Sequence, residues 1–387
     1  MLTGKGKLMS VVLPLLSLSL LAGAAVPADT RFMVRIGSHG PTTEVRVARP
    51  TLRWEIWPAD GTSKVREVSL TLDGRRVEAS YDPSARAVVH TPVSPLATGR
   101  HSVFCRITFE NGATFTREWE TRVADGPLTA FPAPAATQTG ALRVANSYRK
   151  ALGLPQFTAD ERLDYVAQLH SRYLTQNNAM GHGQIPGTPG FFGESGERRL
   201  ASYGWIGASW EGVTFGAETP RLAVQDLFDA PYHRVPFLQP GPIAFGAGMD
   251  GRRTTLLFGA NAATGTVVSP ADGQQNVPLA WDKNERPNPL RVHRVKAPIG
   301  YPIVLAHFDP DVRRIKVTSA TLQTEDGHAV GFFLNTPDND DHLTNAAILM
   351  PSAPLRPATT YRVTFVGTDD KGRPISAQSQ FRTAASR

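Results

Sequence analysis

From about residue 30 to residue 125, apolar and polar positions alternate at period two. Leu52, Trp54 and Ile56 alternate with Arg53, Glu55 and Trp57, and Val68, Leu70 and Leu72 alternate with Ser69 and Thr71. The second run meets the pair Asp73-Gly74, and Ser102 to Phe109 and Thr114 to Val123 flank Glu110-Asn111-Gly112. Strict alternation puts one side of each strand in a core, and Asp-Gly or Asn-Gly pairs accept the positive φ of tight hairpin turns. Several such strands in succession predict an antiparallel β-sandwich over residues 29–125. Residues 126–140 are rich in Pro, Ala and Thr without apolar periodicity and read as a linker.

The period changes to helical after residue 141. Leu163, Val166, Ala167, His170, Tyr173 and Leu174 share one face of a helix. Thr158 and Glu161 stand at capping-box spacing ahead of it. Thr219 followed by Pro220 predicts the start of a second helix running to about Asp229. Ile243 to Met249, Asp250-Gly251 and Thr254 to Phe258 predict a hairpin. Residues 141–265 therefore mix helices and strands. Over residues 266–387 strand patterns return, most clearly at Arg314 to Leu322, Ala329 to Leu334, Tyr361 to Val366 and Gln378 to Thr383. Pro92-Val93-Ser94-Pro95-Leu96 ahead of His101-Ser102-Val103 is echoed by Pro351-Ser352-Ala353-Pro354-Leu355 ahead of Tyr361-Arg362-Val363. Both copies resemble bacterial immunoglobulin-like (Ig-like) modules.

At the N-terminus, Lys5 and Lys7 precede the apolar run Leu8 to Leu21 and the small residues Ala22-Gly23-Ala24-Ala25. That order is the signature of a secretory signal peptide over residues 1–25. The run falls short of the ~20 apolar residues that span a bilayer. A secreted, extracellular or periplasmic chain is expected, with no transmembrane helix in its mature part. With 41 Lys+Arg against 34 Asp+Glu the net charge is +7, and two of those charges leave with Lys5 and Lys7. The remainder is dispersed and makes no basic stripe, so nucleic acid is not an expected partner. A single cysteine, Cys105, excludes an internal disulfide framework and a Cys-based zinc site.

The chemistry is concentrated between Asn146 and Gly248. Asn146-x-x-Arg149 is followed by the amphipathic helix, Gly181-His182, Arg199-Leu200 ahead of Tyr203-Gly204, Trp210-Glu211-Gly212, then Ala230-Pro231-Tyr232-His233-Arg234 and Gly246-Ala247-Gly248. In order and type this set resembles the bacterial branch of the CAP superfamily of cysteine-rich secretory, antigen-five and pathogenesis-related proteins. The resemblance implies an α+β fold, with a central CAP-like αβα sandwich between two antiparallel Ig-like β-sandwiches. It also implies that His182 and His233 are the cavity histidines and Glu211 the cavity glutamate. Two neutral imidazoles converging on a groove suit a divalent cation, Zn2+ above all. Glu211 would orient a histidine from behind the metal ligands or act as a base.

Two departures from the family pattern stand out. Gly212 replaces the family's Asn, and Ala230 stands where a second glutamate belongs. Glu194 or Glu197, in the Gly- and Pro-rich loop before Arg199, could replace the lost carboxylate, although acidic loop residues are usually just solvated. His170 reads as a core histidine. No nucleophile motif appears, because Ser195 in Gly193-Glu194-Ser195-Gly196 lacks nucleophile-elbow spacing and Cys105 lies in another module. Asp338-Asn339-Asp340-Asp341 lacks the Gly and Glu of a calcium loop and reads as a polar turn. The expected function is a cell-envelope CAP-domain protein whose groove binds a small ligand, a lipid among the candidates, or a divalent metal, with Ig-like modules for presentation or adhesion. Phe191, Phe192, Trp205, Trp210 and Phe215 would wall such a groove. The alternative is a metal-assisted hydrolase of an envelope polymer or peptide, with Glu211 as base.

Overall fold

The computed structural model describes residues 32–282 and 285–386; the leader expected at residues 1–25 lies outside them. The chain forms two compact units, and their strand-rich make-up with few helices is that of an α+β protein. One unit holds the described residues up to 130 with Glu197–Ala208, and the other holds Phe131–Gly196 and Ser209 onward.

In the first unit two antiparallel-rich sheets face each other. One has the strand order Val34–Gly40, Leu52–Pro58, Ala87–His90, Ser80–Asp82, and the other has Glu44–Val47, Thr114–Leu128, Gly99–Phe109, Val65–Leu72, Arg75–Val77. Leu52, Trp54 and Ile56 of one sheet share a core with Leu70, Leu72, Val103, Cys105 and Ile107 of the other. The alternation read from the sequence is the alternation of burial, consistent with an Ig-like sandwich. Residues 197–208 join this unit: the Arg46 amide donates to the Ser202 carbonyl at 2.6 Å. Gly204, at φ +81°, sits where an added Cβ would meet Val47 Cγ2 at 3.3 Å.

The second unit begins with helix α1 (Ala136–Ala151). The linker expected over 126–140 is therefore shorter, since a strand runs through Leu128 and α1 starts at Ala136. Its start carries no capping side chain on Ala135; instead Gln138 Oε1 accepts the Ala135 amide at 2.6 Å. Helix α2 (Glu161–Gln176) follows the short strand Phe157–Ala159. Its cap is Asp160, not Thr158, which the strand takes. The Asp160 carboxylate accepts the amides of Arg162 at 2.9 Å and Leu163 at 3.2 Å. Helix α3 (Gly196–Ala201) falls almost wholly in the first unit; the second unit continues with α4 (Pro220–Asp229), capped by Thr219 as expected, and α5 (Pro231–Arg234).

A four-stranded sheet carries α1, α2 and α4, in the order Phe157–Ala159, Ile243–Asp250, Arg253–Gly259, Ser209–Phe215. Phe245 and Ala247 pack in one cluster with Ala141 and Ala145 of α1 and Val224, Leu227 and Phe228 of α4. The alternate residues Gly246 and Gly248 lie so close to α2 that a Cβ on either would overlap its backbone at Leu163–Asp164 and Ala167–Gln168. The first strand pairs only as far as Phe245. Beyond it, α2 takes over the strand's open edge: Asp164 Oδ1 accepts the Ala247 amide at 2.8 Å, and Gln168 bonds both the amide and the carbonyl of Met249 at 3.1 and 3.0 Å. Polar side chains thus satisfy backbone groups that a neighbouring strand would otherwise pair.

That arrangement carries a cost at Asp164, whose carboxyl burial raises from 3.8 to about 6 despite the Ala247 bond. An acid with a raised folded-state value favours folding most at low pH, and that contribution is lost as pH rises from about 4 to about 6. Asp164→Asn keeps an acceptor for Ala247 and removes the charge. The variant should gain about 3 kcal/mol over wild type at pH 7.5 and nothing below pH 4. Urea denaturation across that range checks this, and a pH-independent difference would contradict it.

From Gly265 the second unit continues as a two-stranded pair, Ala280–Trp281 with Ile299–Gly300, and two larger sheets. One orders Gly265–Ser269, Ile303–Phe308, Ala346–Pro351, Phe332–Asn335, and the other Ile315–Thr324, Thr360–Asp369, Pro374–Arg382. Ile303, Leu305 and Leu349 share a core with Val363, Phe365 and Phe381 of the other sheet. The alternate residues Val304, Ala306, Ile348 and Met350 pack on the opposite face with Trp281, Leu290 and Leu238. The first of these sheets is therefore buried on both sides. Its second face packs against the helical part of the chain through Tyr232, Val235 and Leu152.

Candidate functional site

Glu211 sits on the edge strand Ser209–Phe215, paired opposite Leu257. Val213 packs with Tyr173 and Leu174 of α2, so by alternation Glu211 also faces α2, with its side chain only 7% exposed. There His182 Nδ1 donates to Glu211 Oε1 at 3.0 Å. The carboxylate has no proton to give, so the imidazole carries its hydrogen on Nδ1 and keeps the Nε2 lone pair. The His182 ring is 41% exposed and opens to solvent.

His170 is fully buried on α2, as its place on the apolar face predicted. It also belongs to the same cluster. Gln184, itself buried, turns its Oε1 to the Phe192 amide at 3.0 Å, which leaves its NH2 to donate to His170 Nδ1 at 3.1 Å. That assigns the His170 proton to Nε2, which lies 3.7 Å from Glu211 Oε1. Glu211 thus holds one histidine at the surface and faces another in the core.

His233 lies on α5 and stacks against His182, with ring centroids 6.2 Å apart and planes inclined by 16°. Its partner is Glu285, which the sequence reading did not single out. Glu285 Oε1 accepts His233 Nδ1 at 2.6 Å and the His233 amide at 3.0 Å, and Oε2 accepts the Tyr232 amide at 3.3 Å. Ala230, the cap position of α5, has no side-chain acceptor, so Glu285 caps the helix from a distant part of the chain. Glu285 thus supplies a carboxylate to His233. Gly212, in place of the family's Asn, has a packing reason. An added Cβ would meet Leu227 at 3.2 Å and His233 Cδ2 at 3.5 Å.

Both imidazoles are therefore tied through Nδ1 to a carboxylate. This is the orientation seen in metal-ligating histidines, where the outer carboxylate fixes the tautomer and leaves Nε2 for the ion. The donor chemistry fits a divalent transition metal held by His182 and His233, with Glu211 and Glu285 behind them. Two protein ligands are fewer than the three of a usual catalytic zinc centre. A tighter cluster of potential ligands, Asp340, Asp341 and His342, has its ligand atoms within 4.8 Å of one another. Arg291 Nη2 already lies among them, 2.9 Å from Asp340, 2.8 Å from Asp341 and 2.7 Å from His342. The guanidinium supplies the positive charge there, and the segment is the polar turn its sequence suggested.

Of the aromatic residues expected to wall a groove, Trp210 packs beside the Phe157–Phe258 cluster and Phe215 packs beside Tyr173 and Leu174. Cys105 is buried in the first unit, and burial pushes its thiol up to about 12. An open depression of about 560 Å3 on the C-terminal sheet is lined by Thr360, Arg362, Gln378 and Gln380, and it shares no lining residue with the histidine cluster.

Residues 142–276 match the family model described as "CAP: Cysteine-rich secretory protein family". This segment is a CAP domain. An extracellular protein containing a SCP domain from Bacillus anthracis str. Ames is similar in structure, at 13% identity and TM-score 0.28, covering 61% of this chain and 87% of that one. CopC from Methylosinus trichosporium OB3b has 13% identity and TM-score 0.20 over 32% of this chain and 94% of its own. The fibronectin(III)-like modules of CbhA from Clostridium thermocellum have 13% identity and TM-score 0.17 over 24% of this chain and 97% of theirs. No curated protein matches the chain in sequence. The CAP match ends at residue 276, so Glu285, the partner of a CAP histidine, lies outside it.

Proposed function

We propose that this is an exported, non-catalytic binding protein whose CAP domain captures a divalent transition-metal ion between His182 and His233. The observation that carries the reading is the pair of Nδ1–carboxylate bonds, His182 to Glu211 and His233 to Glu285. Each bond leaves an Nε2 lone pair on its imidazole, and the two rings stack with centroids 6.2 Å apart. In this reading the CAP domain is an αβα sandwich, with α1 and α4 on one face of its sheet and α2 on the other. Modules over 29–125 and 266–387 are Ig-like sandwiches that present it at the cell envelope. The leader-like N-terminus supports export. Among the described residues no helix is long and apolar enough to cross a membrane.

A bound ion would polarise whatever reached its open positions. The chain's own residues orient the imidazoles and exclude water from behind them. Glu211 is engaged by His182 and is nearly buried, which favours an orienting role over that of a base. Trp210 and Phe215 serve packing, which leaves a cation better supported than a lipid. Calorimetric titration of the mature chain with Zn2+ tests the proposal. One ion per chain is expected, with at least a tenfold loss of affinity in His182→Ala and in His233→Ala. Equal binding by wild type and both variants would place the ion elsewhere.

A further inference from the structure

We infer that Glu285 is the positioning residue of the groove, so that the segment after the CAP match is an integral part of the site and not a separate bead. The inference rests on the two-histidine reading above for its consequence, but its structural basis is independent of any ion.

Glu285 has a side chain only 1% exposed. A carboxylate buried to that degree persists only with donors around it. Its donors are the Tyr232 amide, the His233 amide and the His233 ring, all on the one turn of α5. The same turn is gripped at each neighbouring side chain. The Tyr232 hydroxyl donates to Asp340 Oδ2 and accepts from Arg291 Nη1 at 2.8 Å. Arg234 donates to the Pro302 carbonyl at 2.7 Å, and its guanidinium lies 4.6 Å from the Tyr301 ring centroid. Tyr301 in turn donates to Asp229 Oδ1 at 2.9 Å. Three consecutive residues, 232 to 234, are thus placed by groups from Glu285 to Asp340.

The local sequence provides no substitute. Ala230 cannot cap α5, and a four-residue helix is too short to hold itself. Without Glu285 the His233 ring would have no fixed tautomer, and its Nε2 would carry a proton part of the time. The groove would then lose one of its two donors while the fold around it persisted. A plain helix cap would also explain the two amide bonds, but it would leave the tautomer and the ion affinity indifferent to residue 285.

The experiment uses the full mature chain at pH 8, in three forms: wild type, Glu285→Met, which matches the side chain's length without an acceptor, and Glu285→Gln, which restores a neutral one. Nitrogen-15 NMR of the histidine rings reads the tautomer, and Zn2+ titration reads the affinity. In wild type His233 is expected to carry its proton on Nδ1. Glu285→Met should give an averaged tautomer and an affinity about 10–100-fold weaker, with His182 unchanged, and Glu285→Gln should recover most of both. A wild-type His233 protonated on Nε2 overturns the inference whatever the variants do. So does a folded Glu285→Met with wild-type tautomer and affinity. A wild-type chain that binds no Zn2+ ends the cation reading of the groove, while the tautomer still decides the role of Glu285.

Discussion

Gly248→Ala is expected to unfold the second unit or cost it at least about 4 kcal/mol, although it adds a single methyl group. The residue lies in extended strand, so its backbone conformation is open to alanine. The obstacle is α2, because the new Cβ would overlap the backbone at Ala167–Gln168. A flexible side chain can move aside, but a helix backbone moves only with its whole face. The displacement would part Gln168 from Met249, and Ser171 Oγ from the Gly248 carbonyl at 2.9 Å. It would also withdraw Asp164 from Ala247. Overpacking in a filled core costs about 1–3 kcal/mol, and the stranded backbone groups add about 1–3 kcal/mol each. Thermal melting read by circular dichroism checks it. A variant that melts within two or three degrees of wild type would mean that α2 can shift freely on the sheet.

Arg149→Ala is expected to cost about 3–5 kcal/mol, a magnitude typical of stripping the partner from buried polar groups. The side chain is fully buried and donates to four carbonyls: Pro155 at 2.7 Å, Phe237 at 3.0 Å, Gly241 at 2.7 Å and Gln239. Its guanidinium also lies 4.7 Å from the Phe157 ring centroid. Three residues earlier, Asn146 bonds both the amide and the carbonyl of Phe157, at 2.7 and 3.1 Å. The Asn-x-x-Arg pair therefore pins the first strand of the sheet and the turn after α5 to a single helix, α1. Arg149→Lys should recover little, since one ammonium cannot reach four carbonyls that a planar fork serves. Urea denaturation of the three proteins measures it, and an Arg149→Ala within about 1 kcal/mol of wild type would contradict the account.

Where one side of an element faced the core and the other faced water, the fold was legible in the sequence. Leu52, Trp54 and Ile56 show this for a strand, and the six residues from Leu163 to Leu174 show it for α2. The pairing of His182 with Glu211, and the nearness of His233, followed from the family pattern alone. Elements that escaped notice break the simple alternation for physical reasons. Helix α1 buries Gln138 and Arg149 alongside Ala141 and Ala145, so its inward face does not look apolar. Ile303 to Ala306 and Ala346 to Met350 are uninterrupted apolar runs, because their sheet is buried on both faces. That signal was available, and it marks the sheet that packs against the CAP domain. Glu285 had none. It stands in the polar stretch Asp282 to Arg286, and only the long-range fold turns it from a surface residue into a buried partner of His233. The segment Glu197–Ala208 likewise reads as part of the CAP pattern, yet it groups with the N-terminal residues through bonds such as Arg46 to Ser202.

The central claim is that two carboxylate-oriented histidines form a cation site. The most direct measurement is anomalous X-ray diffraction at the zinc edge, on crystals of the mature protein grown with Zn2+. The account predicts a single strong peak about 2.0–2.1 Å from Nε2 of both His182 and His233. A peak at Asp340, Asp341 and His342 with Arg291 displaced, or no peak at the two histidines in a zinc-saturated crystal, would contradict it.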